Sequence, residues 1–352
     1  MAWACAANSV LFGAHLPAYP LGLIMRDDPA DATPATGPTR LRCSSFARAE
    51  DVDPVGSAGS YRGIVIAEIP LPWPREIAEH PALAAAAGVL GTAGMRLQGL
   101  MPDGRSDPHR CRLMAFTRPD GAFDRYRGRA WTVAADLVGD AIVAIARSGG
   151  SDGGPAVARP GTGPGPDATV AGRHVLVCTH GRRDACCGTF GTRLASALPG
   201  LGATVSVWRT SHTGGHRFAP TALLLPEGTM WAYLDVERLV GISDRTLGID
   251  EAAALYRGCT GLDGPEVQAA EREALRSIGW PWFDHRRRGE VLESAGGRSL
   301  VRIDAEAPGG GHLTFEATVE VARILPVPDC GRPLEEAAKS APELRVTGFA
   351  AA

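Results

Sequence analysis

The sequence lacks several features that mark large classes of protein. No run approaches the ~18 uncharged apolar residues that a membrane-spanning helix needs. A net charge of −3 gives no electrostatic reason to bind nucleic acid or acidic lipid. No glycine-rich dinucleotide fingerprint or phosphate loop stands in a strand–turn–helix context. We therefore expect no nucleic-acid partner, no membrane partner and no intrinsic nicotinamide or flavin site.

The apolar start of the chain, residues 1–25, makes a poor signal peptide. No basic residue precedes its apolar run, and no clean small-residue cleavage site follows it. A translation start at Met25 explains the segment equally well. Eight cysteines in a chain of 352 residues favour intracellular metal or redox chemistry over a secreted disulfide framework. We therefore expect a cytoplasmic protein.

The element pattern predicts a mixed α/β (α+β) protein. In its first part, apolar β-branched runs predict strands at 63–69, 95–101 and 111–117, and helix-forming composition predicts a helix at 74–90. After a Gly/Pro-rich stretch, a strand at 173–178 opens a β-α-β, hairpin, α order, which is the order of a compact thioredoxin-like unit. The first part shows a similar β-α-β-β order, so a degenerate internal copy is one interpretation.

These patterns divide the chain into five segments. The last one combines a helical pattern at 264–280 with several strand-like runs, which predicts an α+β module. The segments are a mostly irregular N-terminal segment (1–58), an N-terminal α/β domain (59–147), a Gly/Pro-rich linker (148–169), a thioredoxin-like domain (170–245) and the C-terminal module (246–352).

Two short motifs carry the chemistry, CTHGRRDACCG (178–188) and SHTGGHRFAP (211–220). The first places Cys178 at the end of a buried strand and Cys187 just before a helix, where positive potential favours thiolates. In the second, the glycines between His212 and His216 argue against a helix and allow a loop to close around a ligand. Two thiols and two imidazoles suit zinc or an iron–sulfur cluster, and the residue pattern leaves both open. Cys186 is an alternative to Cys187.

Four further cysteines are scattered along the chain. We expect each to be a buried apolar side chain rather than a ligand. They are Cys43, Cys111, Cys259 and Cys330.

Together, the two motifs resemble those of the sucrase/ferredoxin-like family. The matching residues are Cys178, His180, Arg183, Asp184, Cys187, Gly188, Ser211, His212, Gly214, Gly215, His216, Phe218 and Ala219. Segments 64–73 and 256–271, with CSSFARA near Cys43, have the character of bacterial members, so the resemblance covers most of the chain. It departs at Pro220-Thr221, where Ala-Asn is common, and at the extra thiol of Cys186.

This resemblance implies a thioredoxin-like ferredoxin fold with a 2Fe–2S cluster. One iron would be held by Cys178 and Cys187, the other by His212 and His216. Since imidazole can titrate, reduction would be coupled to protonation. His180, Arg183, Asp184, Gly214 and Gly215 would support the ligand loops, with His180 a further ligand candidate. The partners implied are a separate reductase and an acceptor protein.

Three functions are therefore compared. An electron carrier accounts for both motifs. A thiol oxidoreductase on the same fold gives the histidine motif no role and lacks the Cys-x-x-Cys that thioredoxins use. A structural zinc module differs from both because zinc sites are colourless. Sucrase activity has no support, since no suitably spaced carboxylate pair stands out in the sequence.

Overall fold

Two β-sheets organise the chain in the computed structural model, which describes residues 41–104, 106–148, 167–170, 172–198 and 205–352. Before the Gly/Pro-rich stretch the elements are α1 (Cys43–Ala49), β1 (Gly63–Glu68), α2 (Ala84–Thr92), β2 (Met95–Leu100), β3 (Arg110–Thr117), β4 (Arg127–Ala134) and α3 (Val138–Arg147). After it come β5 (Asp167–Thr169), β6 (Arg173–Cys178), α4 (Thr192–Ala197), β7 (Val205–Thr210), β8 (Ala222–Leu225), β9 (Thr229–Trp231), α5 (Val236–Ser243), α6 (Ile249–Leu255), β10 (Tyr256–Cys259), α7 (Pro265–Ile278), β11 (Arg286–Ala295), β12 (Arg298–Glu306), β13 (His312–Pro326) and β14 (Ser340–Ala351). The mixed α+β content agrees with the fold class predicted from the sequence.

The larger sheet has ten strands in the order β10-β9-β8-β6-β7-β2-β1-β3-β4-β5. The apolar strands β1 and β6 lie at the centres of its two halves. Every residue of β1 is buried, and so is every residue of β6 except Arg173. Strands β1 and β2 are parallel, as are β6 and β7, and the remaining neighbours are antiparallel. Continuous apolar runs of this kind are typical of strands covered on both faces.

The two halves of this sheet repeat one arrangement. In the first half β1-α2-β2-β3-β4-α3 forms the strand order β2-β1-β3-β4, and in the second half β6-α4-β7-β8-β9-α5 forms β7-β6-β8-β9. Each half has one parallel pair followed by two antiparallel pairs, which supports the duplication interpretation. The halves meet where Leu100 of β2 pairs with Thr210 of β7. The end of β7, just before the histidine motif, thus lies against the first half.

The structure corrects two details of the predicted elements and adds one short helix. The helix predicted at 74–90 is divided into a 3-10 turn at Ile77–Glu79 and α2, because Pro81 cannot continue a helix and disfavours helical geometry at His80. Helix α1 lies in the N-terminal segment that was predicted to be mostly irregular. Residues 167–169 of the predicted linker form β5, whereas 1–40 and 149–166 lie outside the described residues.

The second sheet is antiparallel, in the order β11-β12-β13-β14, and α7 packs between it and β10 of the larger sheet. Helix α7 starts with Pro265 and ends before Gly279, the expected asymmetry of helix ends. Its Glu271 pairs with fully buried Arg287 of β11, with 2.8 Å between Oε1 and Nε. This ion pair anchors the second sheet to the helix. In the described part of the chain, no helix has the length and apolarity needed to cross a membrane.

Candidate metal centre

The first motif wraps a tight loop around the end of β6. Cys178 is the last residue of that strand, and Cys187 begins a π-helical turn (Cys187–Gly191) that continues into α4. The loop closes because two glycines allow backbones to touch. A Cβ at Gly188 would lie 2.4 Å from Gly181 Cα, and one at Gly191 would lie 1.8 Å from the Cys178 carbonyl oxygen. This close contact places Cys178, at the end of β6, next to the turn that carries Cys187.

The histidine motif follows β7 and turns back through two left-handed glycines. Gly214 and Gly215 have φ of +95° and +65°, values that favour glycine. A Cβ at Gly215 would lie 2.4 Å from the buried guanidinium of Arg257, which donates to the Gly214 carbonyl at 3.1 Å. The glycines therefore let the loop close on Arg257, after which a 3-10 turn begins at His216.

Three of the four proposed ligands converge in this arrangement. The ligand atoms of Cys178, Cys187 and His212 all lie within 4.8 Å of one another, and Nδ1 of His212 is 3.8 Å from Sγ of Cys178. The hydrogen bond from the Cys187 thiol, followed by the one from His212, lowers the pKa of Cys178 despite its burial. Donating that bond raises the pKa of Cys187. The site thus stabilises a thiolate beside an imidazole, a donor set that can hold a metal.

His216 lies beside this group but faces another set of donors. Its ring centroid is 5.9 Å from that of His212, and its Nδ1 is 3.2 Å from Oδ2 of Asp184 and 3.2 Å from Sγ of Cys43. Although burial opposes it, the hydrogen bond from His216 holds the pKa of Asp184 well below its usual range. An Nδ1–H donated to the carboxylate leaves Nε2 of His216 as the basic nitrogen.

A second group of thiols stands on the other side of His216. Cys43, Cys186 and Cys330 lie with Asp184 so that one ligand atom from each falls within 4.8 Å of the others. Hydrogen bonds from the thiols of Cys330 and Cys43 lower the pKa of Cys186 to about 2. Sequence reasoning treated Cys186 as the alternative to Cys187; the structure places it in this second group.

Two of the four cysteines that are scattered along the chain come together in this second group. Cys43 starts α1 and Cys330 lies in the loop after β13, yet their sulfur atoms are 3.4 Å apart. Cys111 and Cys259 are buried away from both groups, as expected. The sequence gives no local signal for the pairing, because 287 residues separate Cys43 from Cys330.

The predicted supporting residues all contact the two loops or their surroundings. The backbone N–H of His212 donates to Nδ1 of His180 at 3.3 Å, so Nε2–H of His180 donates to the Pro74 carbonyl at 2.9 Å. Both nitrogens of His180 are thus engaged in positioning rather than left for ligation. The Nε of Arg183 is 3.1 Å from Oε1 of Glu76.

Residues of the first half also hold the histidine motif, which sequence reasoning missed. The Ser211 hydroxyl accepts from the Gly99 N–H and from Nε2 of Gln98, both at 2.9 Å. Arg96 donates to the carbonyl of His212. Only the sheet join between β2 and β7 brings these residues together, so the motif pattern alone could not reveal them.

A family model described as sucrase/ferredoxin-like matches residues 54–258, more than half of the chain and both motifs. No curated protein and no solved structure matches. The chain therefore belongs to the sucrase/ferredoxin-like family, and its clustered Cys and His side chains could hold a metal or a cluster.

Proposed function

We propose that this member of the sucrase/ferredoxin-like family is an electron-transfer protein with a 2Fe–2S cluster held by Cys178, Cys187, His212 and His216. The observation that carries the proposal is the convergence of Cys178, Cys187 and His212 from two motifs that are separated along the chain. Two thiols and two imidazoles fit a cluster with His ligation on one iron.

The chain's own residues prepare these donors. Cys178 and Cys187 are almost fully buried, with exposed fractions of 0% and 1%, and the lowered pKa of Cys178 favours the thiolate that iron requires. Asp184 accepts from Nδ1 of His216 and so presents Nε2 of that ring as the donor atom. His180 holds the backbone of His212.

When bound, such a cluster supplies one-electron transfer; Rieske-type centres with two His ligands have potentials of about −150 to +300 mV, against about −400 mV for plant-type ferredoxins. Both cysteines are buried, whereas the two histidines are only half-buried. The histidine edge is therefore where a redox partner approaches most closely. We propose a separate reductase and an acceptor protein as partners. Proton coupling and a cytoplasmic location stay predictions.

The test is the absorption and EPR spectrum of anaerobically purified protein, with iron and sulfide quantified. We expect a brown protein whose dithionite-reduced EPR signal has a low average g-value. Cys187→Ser is expected to lose the cluster, and His216→Cys to keep a cluster with a shifted spectrum. Cys111→Ser is the matched control, since Cys111 is buried outside both thiol groups, and should leave the spectrum unchanged.

Two results would contradict the proposal. A colourless protein without iron would refute the electron carrier. An iron content unaffected by Cys187→Ser but lost in Cys186→Ser would move the ligand to the second thiol group. His109→Cys, at an exposed position, controls for adding a thiol and should not shift the spectrum.

A further inference from the structure

The second thiol group has the composition and spacing of a metal site of its own. Sγ of Cys330 is 3.1 Å from Sγ of Cys186 and 3.4 Å from Sγ of Cys43. Oδ1 of Asp184 is 3.5 Å from the Cys43 sulfur and 3.4 Å from the Cys330 sulfur. Three sulfur atoms and one carboxylate oxygen, from three separate segments of the chain, thus lie within 4.8 Å of one another.

We propose that Cys43, Cys186, Cys330 and Asp184 bind one zinc ion, distinct from the cluster proposed above. A tetrahedral ion with Zn–S bonds of about 2.3 Å and a Zn–O bond of about 2.0 Å has sulfur–sulfur edges of about 3.8 Å and sulfur–oxygen edges of about 3.5 Å. The observed sulfur–oxygen distances match these edges. To match the sulfur–sulfur edges, the Cys330 sulfur must move away from the Cys43 sulfur by about 0.4 Å and from the Cys186 sulfur by about 0.7 Å.

The surroundings favour an ion over three thiols alone. Cys43 and Cys186 are 0% exposed and Asp184 is 5% exposed, and only Cys330 is half-buried, so water has little access to charges on this group. Three thiolates and a carboxylate around a divalent ion carry the same net charge as a four-cysteine zinc site. A disulfide explains the group less well, because it would use two of the three thiols and needs a sulfur–sulfur bond of about 2.05 Å.

The group also joins parts of the chain that the family match does not include. Cys43 and Cys330 both lie outside residues 54–258, whereas Cys186 and Asp184 lie inside. The backbone N–H of Gly331 donates to the Leu41 carbonyl at 2.8 Å, so the two outer segments already meet beside the site. An ion here would fasten both segments to the loop that carries Cys187.

The site would also set the environment of His216 without using it as a ligand. Asp184 offers Oδ1 to the thiol group and Oδ2 to Nδ1 of His216. The backbone N–H of Cys186 donates to Oδ1 at 2.9 Å, which fixes the carboxylate between the two groups. Zinc bound by Asp184 would therefore hold the same carboxylate that orients the proposed iron ligand.

The experiment measures zinc and iron in the full chain after growth with both metals and dialysis. We expect one zinc per chain in wild type and in Cys111→Ser. Cys43→Ser and Cys330→Ser should lose zinc and keep iron, whereas Cys178→Ser should lose iron and keep zinc. Because the two metals respond to different variants, failure of the iron proposal is distinguishable from failure of this one.

A second measurement does not depend on any variant folding. X-ray absorption at the zinc edge of wild type should show three sulfur neighbours and one oxygen. The proposal is overturned if wild type retains no zinc, if zinc persists in both Cys43→Ser and Cys330→Ser, or if zinc disappears in Cys178→Ser instead. A Cys186–Cys330 disulfide in a zinc-free protein purified without oxygen would overturn it as well.

Discussion

Replacing Gly191 by alanine tests whether the ligand loop depends on backbone contact. Gly191 has helical geometry, with φ of −65° and ψ of −37°, at the junction of the π-helical turn and α4. On conformational grounds alone, alanine should stabilise a helix at such a position by about 1 kcal/mol. Here, however, its Cβ would lie 1.8 Å from the Cys178 carbonyl oxygen and 3.0 Å from the carbonyl carbon.

This clash reverses the sign of the expected effect. Both contacted atoms belong to backbone at the end of a buried strand, so the turn must retreat by more than an ångström and carry Cys187 away from Cys178. Overpacking of a well-packed interior costs about 1–3 kcal/mol, and backbone clashes fall at the upper end. We therefore expect Gly191→Ala to unfold more easily than wild type and to bind less iron.

The matched control is Gly88→Ala, at an exposed helical position in α2 where a Cβ meets nothing within 4 Å. Urea denaturation followed by circular dichroism should show the control gaining up to about 1 kcal/mol while Gly191→Ala loses stability. Iron analysis of both variants measures the effect on the site. If Gly191→Ala is as stable as the control and keeps its iron, the contact does not shape the loop and the reasoning is refuted.

Two further predictions concern the supports of the second sheet. Glu271→Gln leaves the fully buried guanidinium of Arg287 without its carboxylate, so denaturation should show a loss of about 3–5 kcal/mol; a loss below 1 kcal/mol would contradict it. Although burial opposes it, the hydrogen bond from Arg323 lowers the pKa of Glu343. This stabilisation is present above the unfolded pKa of about 4.3 and is lost as pH falls through the lower folded value. The stability gap between wild type and Glu343→Gln should therefore narrow from about pH 6 to about pH 3, and a constant gap would count against the ion pair.

Strands were the most predictable part of the fold. The apolar runs of β1 and β6 are buried as their composition indicated, and β12 shows the alternating burial that its sequence pattern predicts. The helix predicted at 74–90 is too long. Its composition favours a helix throughout, but Pro81 interrupts it, so that only α2 is α-helical. The two halves join through one registered pair between β2 and β7, flanked by backbone hydrogen bonds from Met101 to Arg209 and from Ser211 to Gly99, and no local pattern specifies such contacts.

The candidate site was predictable where its residues are close in sequence. Cys178 and Cys187 flank one loop, His212 and His216 flank another, and the motif spacing identified both. The second thiol group was not predictable, because Cys43 and Cys330 are single cysteines in unrelated segments. Arg257 was equally hidden: its role is to occupy the space beside Gly215 and accommodate the left-handed turn.

Asp184 contacts both the histidine motif and the second thiol group. Its Oδ2 accepts from His216, and its Oδ1 accepts from the Cys186 backbone and lies against the thiols of Cys43 and Cys330. Any displacement of the outer segments therefore reaches the imidazole that we propose as an iron ligand. A chain reduced to residues 54–258 would keep every proposed iron ligand but lose two of the groups that hold this carboxylate in place. If both proposed sites are occupied, the outer segments would supply ligands to one of them and hold the carboxylate that orients His216 in the other.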